Sequence, residues 1–297
     1  MTLKENEAIM AAYQDVFYPS ADGRLTLYAR DYGAPKPDAM AILCLHGLTR
    51  NSADFEWIAG HLSPHFRVVV ADQRGRGRSG WDSEPANYTP AVYCQDMLKL
   101  LDHLGVERCI IIGTSMGGLM AMILGVMARQ RLIAAVLNDI GPEIDAAGLA
   151  RIASYTGKTK PAADWMEAAE IARFINEVAF PDYGTADWMA FARRLYREGD
   201  DGVPVLAYDP AISKGLEPKS DTPVAPPDLW PMWDGLKGLP MLAIRGGTSD
   251  LLSPETLDKM SERHEGLEIA VVPGRGHAPM LDEPIAVHAI DTFLAEL

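Results

Sequence analysis

Ile110-Ile111-Ile112-Gly113-Thr114-Ser115-Met116-Gly117-Gly118-Leu119 runs a β-branched apolar segment into a tight turn and then into an apolar helix. Three consecutive isoleucines favour a buried strand. The G-x-S-x-G turn that follows sets glycines two residues either side of Ser115, where so sharp a bend leaves no room for side chains. Ser115 is thereby lifted into a cleft. It lies over the start of a helix expected from Met116 to about Arg129, whose free N–H groups and dipole favour a developing negative charge. A five-residue motif recurs by chance, but here the strand before it and the helix after it supply the required context.

The bulk of the chain suits this reading. Its 297 residues, 48% hydrophobic and 23% charged, are enough for one large domain or for a domain with an insertion. A net charge of -14 argues against a nucleic-acid partner. Cys44, Cys94 and Cys109 are an odd number without a C-x-x-C, so reduced thiols are expected rather than a disulfide or a metal site. The start, Met-Thr-Leu-Lys-Glu-Asn-Glu, lacks the apolar stretch of a signal peptide. The longest apolar run, Leu119 to Met127, is short of a membrane span. A soluble cytoplasmic protein with no membrane partner is the expectation; a homodimer is left open.

Strand and helix patterns alternate on both sides of the motif. Arg24 to Tyr32 alternates after an Asp-Gly turn and is expected to form an edge strand of an antiparallel leading pair. Ala39 to Leu45, Phe66 to Ala71, Ile133 to Leu137, Leu239 to Ile244 and Glu268 to Val272 are apolar runs of strand length. Helical spacing fills the intervals, as in Thr89 to Gly105, where Thr-Pro opens the helix and glycine closes it. The expected fold class is α/β, with a largely parallel sheet. After Pro142 the strand pattern stops. The chain therefore divides into a body, 1–142 and 236–297, and a helical insert, 143–235, carrying Trp165, Trp188, Trp230 and Trp233 and proline-rich joints at Pro223 to Pro227. Such an insert would cover the cleft; most of its tryptophans are expected to pack the inserted helices onto the body, with Trp165 and Trp188 as candidates for the substrate wall.

A serine hydroxyl is a weak nucleophile at neutral pH and needs a general base, for which histidine is suited. His277, in a glycine-flanked loop after the last strand, is the candidate; His61, His103, His264 and His288 fall on helices and His65 follows one. The base needs a carboxylate to hold its tautomer. Asp250, in the Gly-Gly-Thr-Ser loop, is favoured, while Asp139 also ends a strand and keeps the same order along the chain. The backbone N–H groups of Leu48 and Met116 are the expected oxyanion donors. His46 reads as a structural hydrogen bonder beneath that loop, and the arginines of Asp72 to Ser79 as ties between strands or a rim to the cleft. Arg50 is a candidate for holding a substrate carboxylate.

Together His46-Gly47, Asp72-Gln73-Arg74-Gly75-Arg76-Gly77-Arg78-Ser79, Gly113 to Gly118, Asp250 and Gly276-His277 resemble the α/β-hydrolase superfamily, in the lidded group with 3-oxoadipate enol-lactonases, esterases and meta-cleavage-product hydrolases. The resemblance covers the body and is silent over the insert. It implies a Ser-His-Asp triad, no cofactor, and a small ester or lactone substrate, with carbon–carbon bond hydrolysis as the alternative. A low-turnover ligand receptor on the same fold is a third reading, since fold alone does not establish activity. Leu48-Thr49-Arg50 after His46-Gly47 departs from the common H-G-x-G-x pattern.

Overall fold

A computed structural model describes residues 11–34, 36, 38–215 and 228–297. The acidic start and the Pro223 to Pro227 joint lie outside these residues. Strand β1 (Gln14–Pro19) pairs antiparallel with β2 (Thr26–Asp31). The chain continues through β3 (Ala41–Leu45), helix α1 (Glu56–Leu62), β4 (Arg67–Asp72) and α2 (Pro90–His103). Then come β5 (Cys109–Thr114), α3 (Met116–Met127) and β6 (Leu132–Asn138). Helices α4 (Ala146–Tyr155), α5 (Trp165–Asn176) and α6 (Thr185–Leu195) lead to a small hairpin, β7 (Tyr196–Glu198) with β8 (Pro204–Leu206). Short α7 (Trp230–Asp234) precedes β9 (Met241–Gly246), α8 (Pro254–Arg263), β10 (Leu267–Val272) and α9 (Pro284–Ala295).

The main sheet has eight strands in the order β1-β2-β4-β3-β5-β6-β9-β10. From β4 across to β10 neighbours run parallel, as expected of strands joined by helical crossovers. Strand β2 is not an edge: it lies between β1 and β4, antiparallel to both. The edge is β1, whose mostly exposed residues carry too little apolar alternation to be read as a strand.

The isoleucines of β5 explain why this strand is central. Ile110 and Ile112 pack on one face with Val68 and Val70 of β4 and Phe293 of α9. Cys109 and Ile111 pack on the other with Met97 and Leu100 of α2 and Met120 of α3. Burying each such aliphatic side chain contributes roughly 1.5–3 kcal/mol. All three cysteines are buried free thiols; burial alone pushes Cys44 well up from its ordinary value, and burial is the main cause that raises Cys109 to about 12.

Between β6 and β9, α5 and α6 build a separate apolar cluster from Ala168, Ala172, Phe180, Trp188, Phe191 and Tyr196, with Trp165 packed against it. Trp233 of α7 belongs instead to the body's cluster, where Trp230 also packs. The four tryptophans of the expected insert are thus divided between two cores.

Candidate active site

The turn that follows β5 is crowded by its neighbours. A Cβ at Gly113 would stand 2.6 Å from the Gly118 nitrogen, and one at Gly117 would overlap the Leu45 carbonyl. Ser115 takes φ 53° and ψ -114°, a positive-φ backbone that a non-glycine residue rarely adopts. Its N–H donates to the Asn138 carbonyl at 2.9 Å, tying the turn to the end of β6. The Asn138 side chain, fully buried, donates to Thr114 Oγ1 at 3.0 Å and to the Pro279 carbonyl at 2.8 Å. One amide therefore joins the serine turn, the end of β6 and the histidine loop.

Ser115 Oγ lies 2.8 Å from His277 Nε2, and His277 Nδ1 lies 2.8 Å from Asp139 Oδ2. With Nδ1 protonated, the imidazole donates to the carboxylate and its Nε2 accepts from the serine hydroxyl. Asp139 is fully buried and sits at φ 59°. Its own N–H donates to the Ile244 carbonyl at 2.7 Å, which aims the carboxylate across the sheet's end. Oδ1 accepts the Gly246 N–H at 2.8 Å, and Oδ2 accepts the Ser249 hydroxyl at 2.7 Å as well as the imidazole.

The acid facing His277 is thus Asp139, and the expectation of Asp250 is corrected. The 249–252 turn folds its N–H groups onto Ser249 Oγ, and Asp250 points instead at α4. There Arg151 grips it with Nε and Nη2 at 2.6 and 2.9 Å. That guanidinium holds the Asp250 carboxyl below its usual range against the opposing effect of burial.

The loop after β3 completes the wall opposite. His46 is fully buried; its Nδ1–H donates to the Gly47 carbonyl at 2.7 Å and its Nε2 accepts the Gln73 N–H at 3.1 Å. Burial pulls it down to about 3, so it is a neutral strut. Arg76, also fully buried, donates from Nε to the Leu48 carbonyl at 2.9 Å and from Nη1 to Tyr93 Oη at 2.8 Å. Arg74 forks onto Asp96 and reaches Asp82. These arginines tie loops to one another and to α2 rather than strand to strand, and Arg76 braces the loop at the cleft's rim. The Leu48 N–H has no acceptor among the described residues. Met116, as the first residue of α3, has no intrahelical acceptor for its N–H. Both N–H groups are free for a ligand oxygen.

A cavity between the inserted helices and the body opens onto Ser115 and His277. Its wall includes Leu48, Ile152, Tyr155, Asn176, Phe191 and Tyr208. Arg50 also reaches this wall. However, its Nε and Nη2 are engaged by Asp54 at 2.5 and 2.6 Å, and the guanidinium lies 4.2 Å from the Phe191 ring centre. Trp165 and Trp188 do not line the cavity, which corrects their expected place. Trp188, 4% exposed, packs against Phe180, Tyr183 and Phe191, and Trp165 lies under the Arg193 guanidinium. Helical periodicity alone does not show which tryptophan faces inward. Sequence reasoning also misses Asn138, Ser249 and Tyr155; the first two adjoin the candidate acids, the one signal that points to them. Among the described residues no group of His, Cys, Asp and Glu is placed to hold a metal ion, and no helix is long and apolar enough to cross a membrane.

Comparison with known proteins agrees with this architecture. The sequence model described as "Alpha/beta hydrolase family" matches residues 42–290. The chain is 31% identical to a 3-hydroxybutyrate-oligomer hydrolase of Cupriavidus necator, over 89% of this chain and 90% of that protein. It is 27% identical to a 2-(acetamidomethylene)succinate hydrolase of Mesorhizobium japonicum, over 92% of each. The crystal structure of an alpha/beta hydrolase from Novosphingobium aromaticivorans superposes with a TM-score of 0.89 at 40% identity, covering 97% of this chain and 100% of the other. The chain belongs to the alpha/beta hydrolase family.

Proposed function

We propose that this hydrolase cleaves a small carboxylic ester through an acyl-enzyme on Ser115. The supporting observation is the continuous hydrogen-bonded line from Ser115 Oγ through His277 to Asp139. His277 Nε2 takes the hydroxyl proton as Oγ attacks the ester carbon, and the carbonyl oxygen moves into the N–H groups of Leu48 and Met116. The protonated His277, held by Asp139, then gives its proton to the departing alkoxide and the alcohol leaves. Water repeats the sequence: His277 removes its proton, the acyl carbon is attacked, and the acid departs as Ser115 regains its proton. No cofactor takes part in these steps.

The cavity favours an uncharged substrate body. Its wall is largely apolar, and the guanidinium on it, Arg50, is already matched by Asp54. The Arg50 Nη1 donor and the Tyr155 hydroxyl suit neutral oxygens such as ester carbonyls or hydroxyls. The related 3-hydroxybutyrate-oligomer hydrolase supports a short oxoester. We place the protein in the cytoplasm, with the inserted helices acting as a lid.

Intact mass after exposure to a fluorophosphonate, beside p-nitrophenyl acetate and butyrate turnover, tests the reading. One adduct and turnover are expected in the parent, and neither in Ser115→Ala. Equal turnover by both proteins would refute it.

A further inference from the structure

We propose that Ser249 is a positioning residue: it holds Asp139 in register with His277 and tempers how tightly that pair keeps a proton. The inference rests on the Ser115–His277–Asp139 reading above.

The hydrogen-bond arithmetic at Ser249 leaves its hydroxyl one orientation. A hydroxyl carries one proton and two lone pairs. The backbone N–H groups of Leu251 and Leu252 each donate to Ser249 Oγ at 3.2 Å, which occupies both lone pairs. The proton is left for Asp139 Oδ2, at 2.7 Å. That same oxygen accepts His277 Nδ1–H at 2.8 Å, while Oδ1 is held by the Gly246 N–H. Ser249 and His277 therefore share one carboxylate oxygen, and the turn geometry keeps the serine from rotating away.

Donors to a carboxylate stabilise its charge and weaken its hold on any further proton donor. Around His277 stand Asp139 from the end of β6, Ser115 from the elbow, and the charge of Asp250 from the loop after β9. Arg151 of α4 counters that last charge. Ser249 is the neutral member on the acid's side, and its removal changes no formal charge. Without its hydroxyl, Oδ2 answers to the imidazole alone and holds the imidazolium more firmly. Proton release from His277 then requires a higher pH.

The test is the pH profile of kcat/KM for a p-nitrophenyl ester, whose acid limb reports the base of the free enzyme. Ser249→Ala is expected to move that limb upward by about half a unit or more and to lower kcat roughly tenfold. Ser249→Thr, which keeps a hydroxyl, restores the limb. If the alanine protein does not fold, Ser249→Cys, a weaker donor, is read instead and moves the limb in the same direction. A limb that stays at the parent's position in the folded variant overturns the proposal, however far kcat falls. Asp139→Asn is measured alongside. Loss of turnover there with an unmoved limb in Ser249→Ala refutes the role of Ser249 alone, and full turnover in Asp139→Asn refutes the triad and this inference with it.

Discussion

The backbone N–H of Gly276 donates to the carbonyl of Ala179 at 2.9 Å, so the residue immediately before His277 is fastened to the inserted helices. Arg275 adds a fork onto Asp182 in the same segment. The histidine loop thus takes its position from the insert as well as from the sheet. A Cβ at Gly276 would stand 2.8 Å from Ala179 Cα, and backbone cannot yield as a flexible side chain can. Gly276→Ala is expected to lower kcat/KM about 10- to 100-fold, because a displacement near 1 Å at a catalytic group has that effect. Parallel melting curves should show a smaller proportional loss. Parent-like kcat/KM would mean that the contact does not position the histidine.

The two candidate acids separate cleanly by substitution. Asp139→Asn keeps the shape but removes the charge facing His277, and kcat should fall on the order of 10⁴-fold. Asp250→Asn breaks the pair with Arg151, whose partners are about a third and a quarter exposed. Its stability cost should stay below about 1 kcal/mol, with kcat within a few-fold of the parent. Steady-state kinetics on both variants decides the assignment; a reversed order of effects would return Asp250 to the site.

His46 gives the fold an acid weakness. Burial depresses it to about 3 from an ordinary value of 6.5. Below pH 6.5 the unfolded chain therefore binds a proton that the folded chain refuses, and stability falls as pH drops from 6.5 towards 3. Each unit contributes at most about 1.4 kcal/mol. Protonating Nε2 would also break its bond from the Gln73 N–H. Denaturant midpoints measured across this window should decline less steeply in His46→Gln than in the parent. Buried Asp72, raised by burial, titrates with the opposite sign in both proteins, so the difference in slope isolates the histidine.

Trp188 anchors the core of the insert rather than the substrate wall. Trp188→Ala should destabilise the insert by about 3–5 kcal/mol and expose it to limited proteolysis before the body. Cleavage sites mapped by mass spectrometry check this: early cuts should fall within the α5–α6 segment, Trp165 to Leu195. Uniform cleavage across the chain would contradict a separate core.

Ser115 and His277 are legible in the sequence because each rests on local chemistry: glycines forced by a sharp turn, and a histidine in a loop between a strand and a helix. The parallel sheet is legible from runs such as Ile110 to Ile112, which are apolar on both faces. The acid is not. Asp139 and Asp250 follow adjacent strands and share the same order along the chain, so the choice depends on contacts that motif spacing does not encode. It depends on Asp139 turning left-handed, and on Ser249 gathering the N–H groups of the turn that points Asp250 outward. The same limit applies to Trp188 and Trp165, whose composition announces an aromatic insert without saying which side chains it keeps for its own core. Strand β1 escapes notice for a related reason: from Gln14 onward it is largely exposed and leaves no apolar stripe.

Ser115 and Asp139 stand at the two ends of one crossover, β5–α3–β6, whereas the inserted helices that roof the cavity are encoded after it. Recombination between relatives near residue 142 would consequently leave Ser115 and Asp139 with the host, while passing on the insert and the histidine loop together. The roof of the cavity and the His277 loop are inherited as one package, already fitted to each other through Gly276 and Ala179.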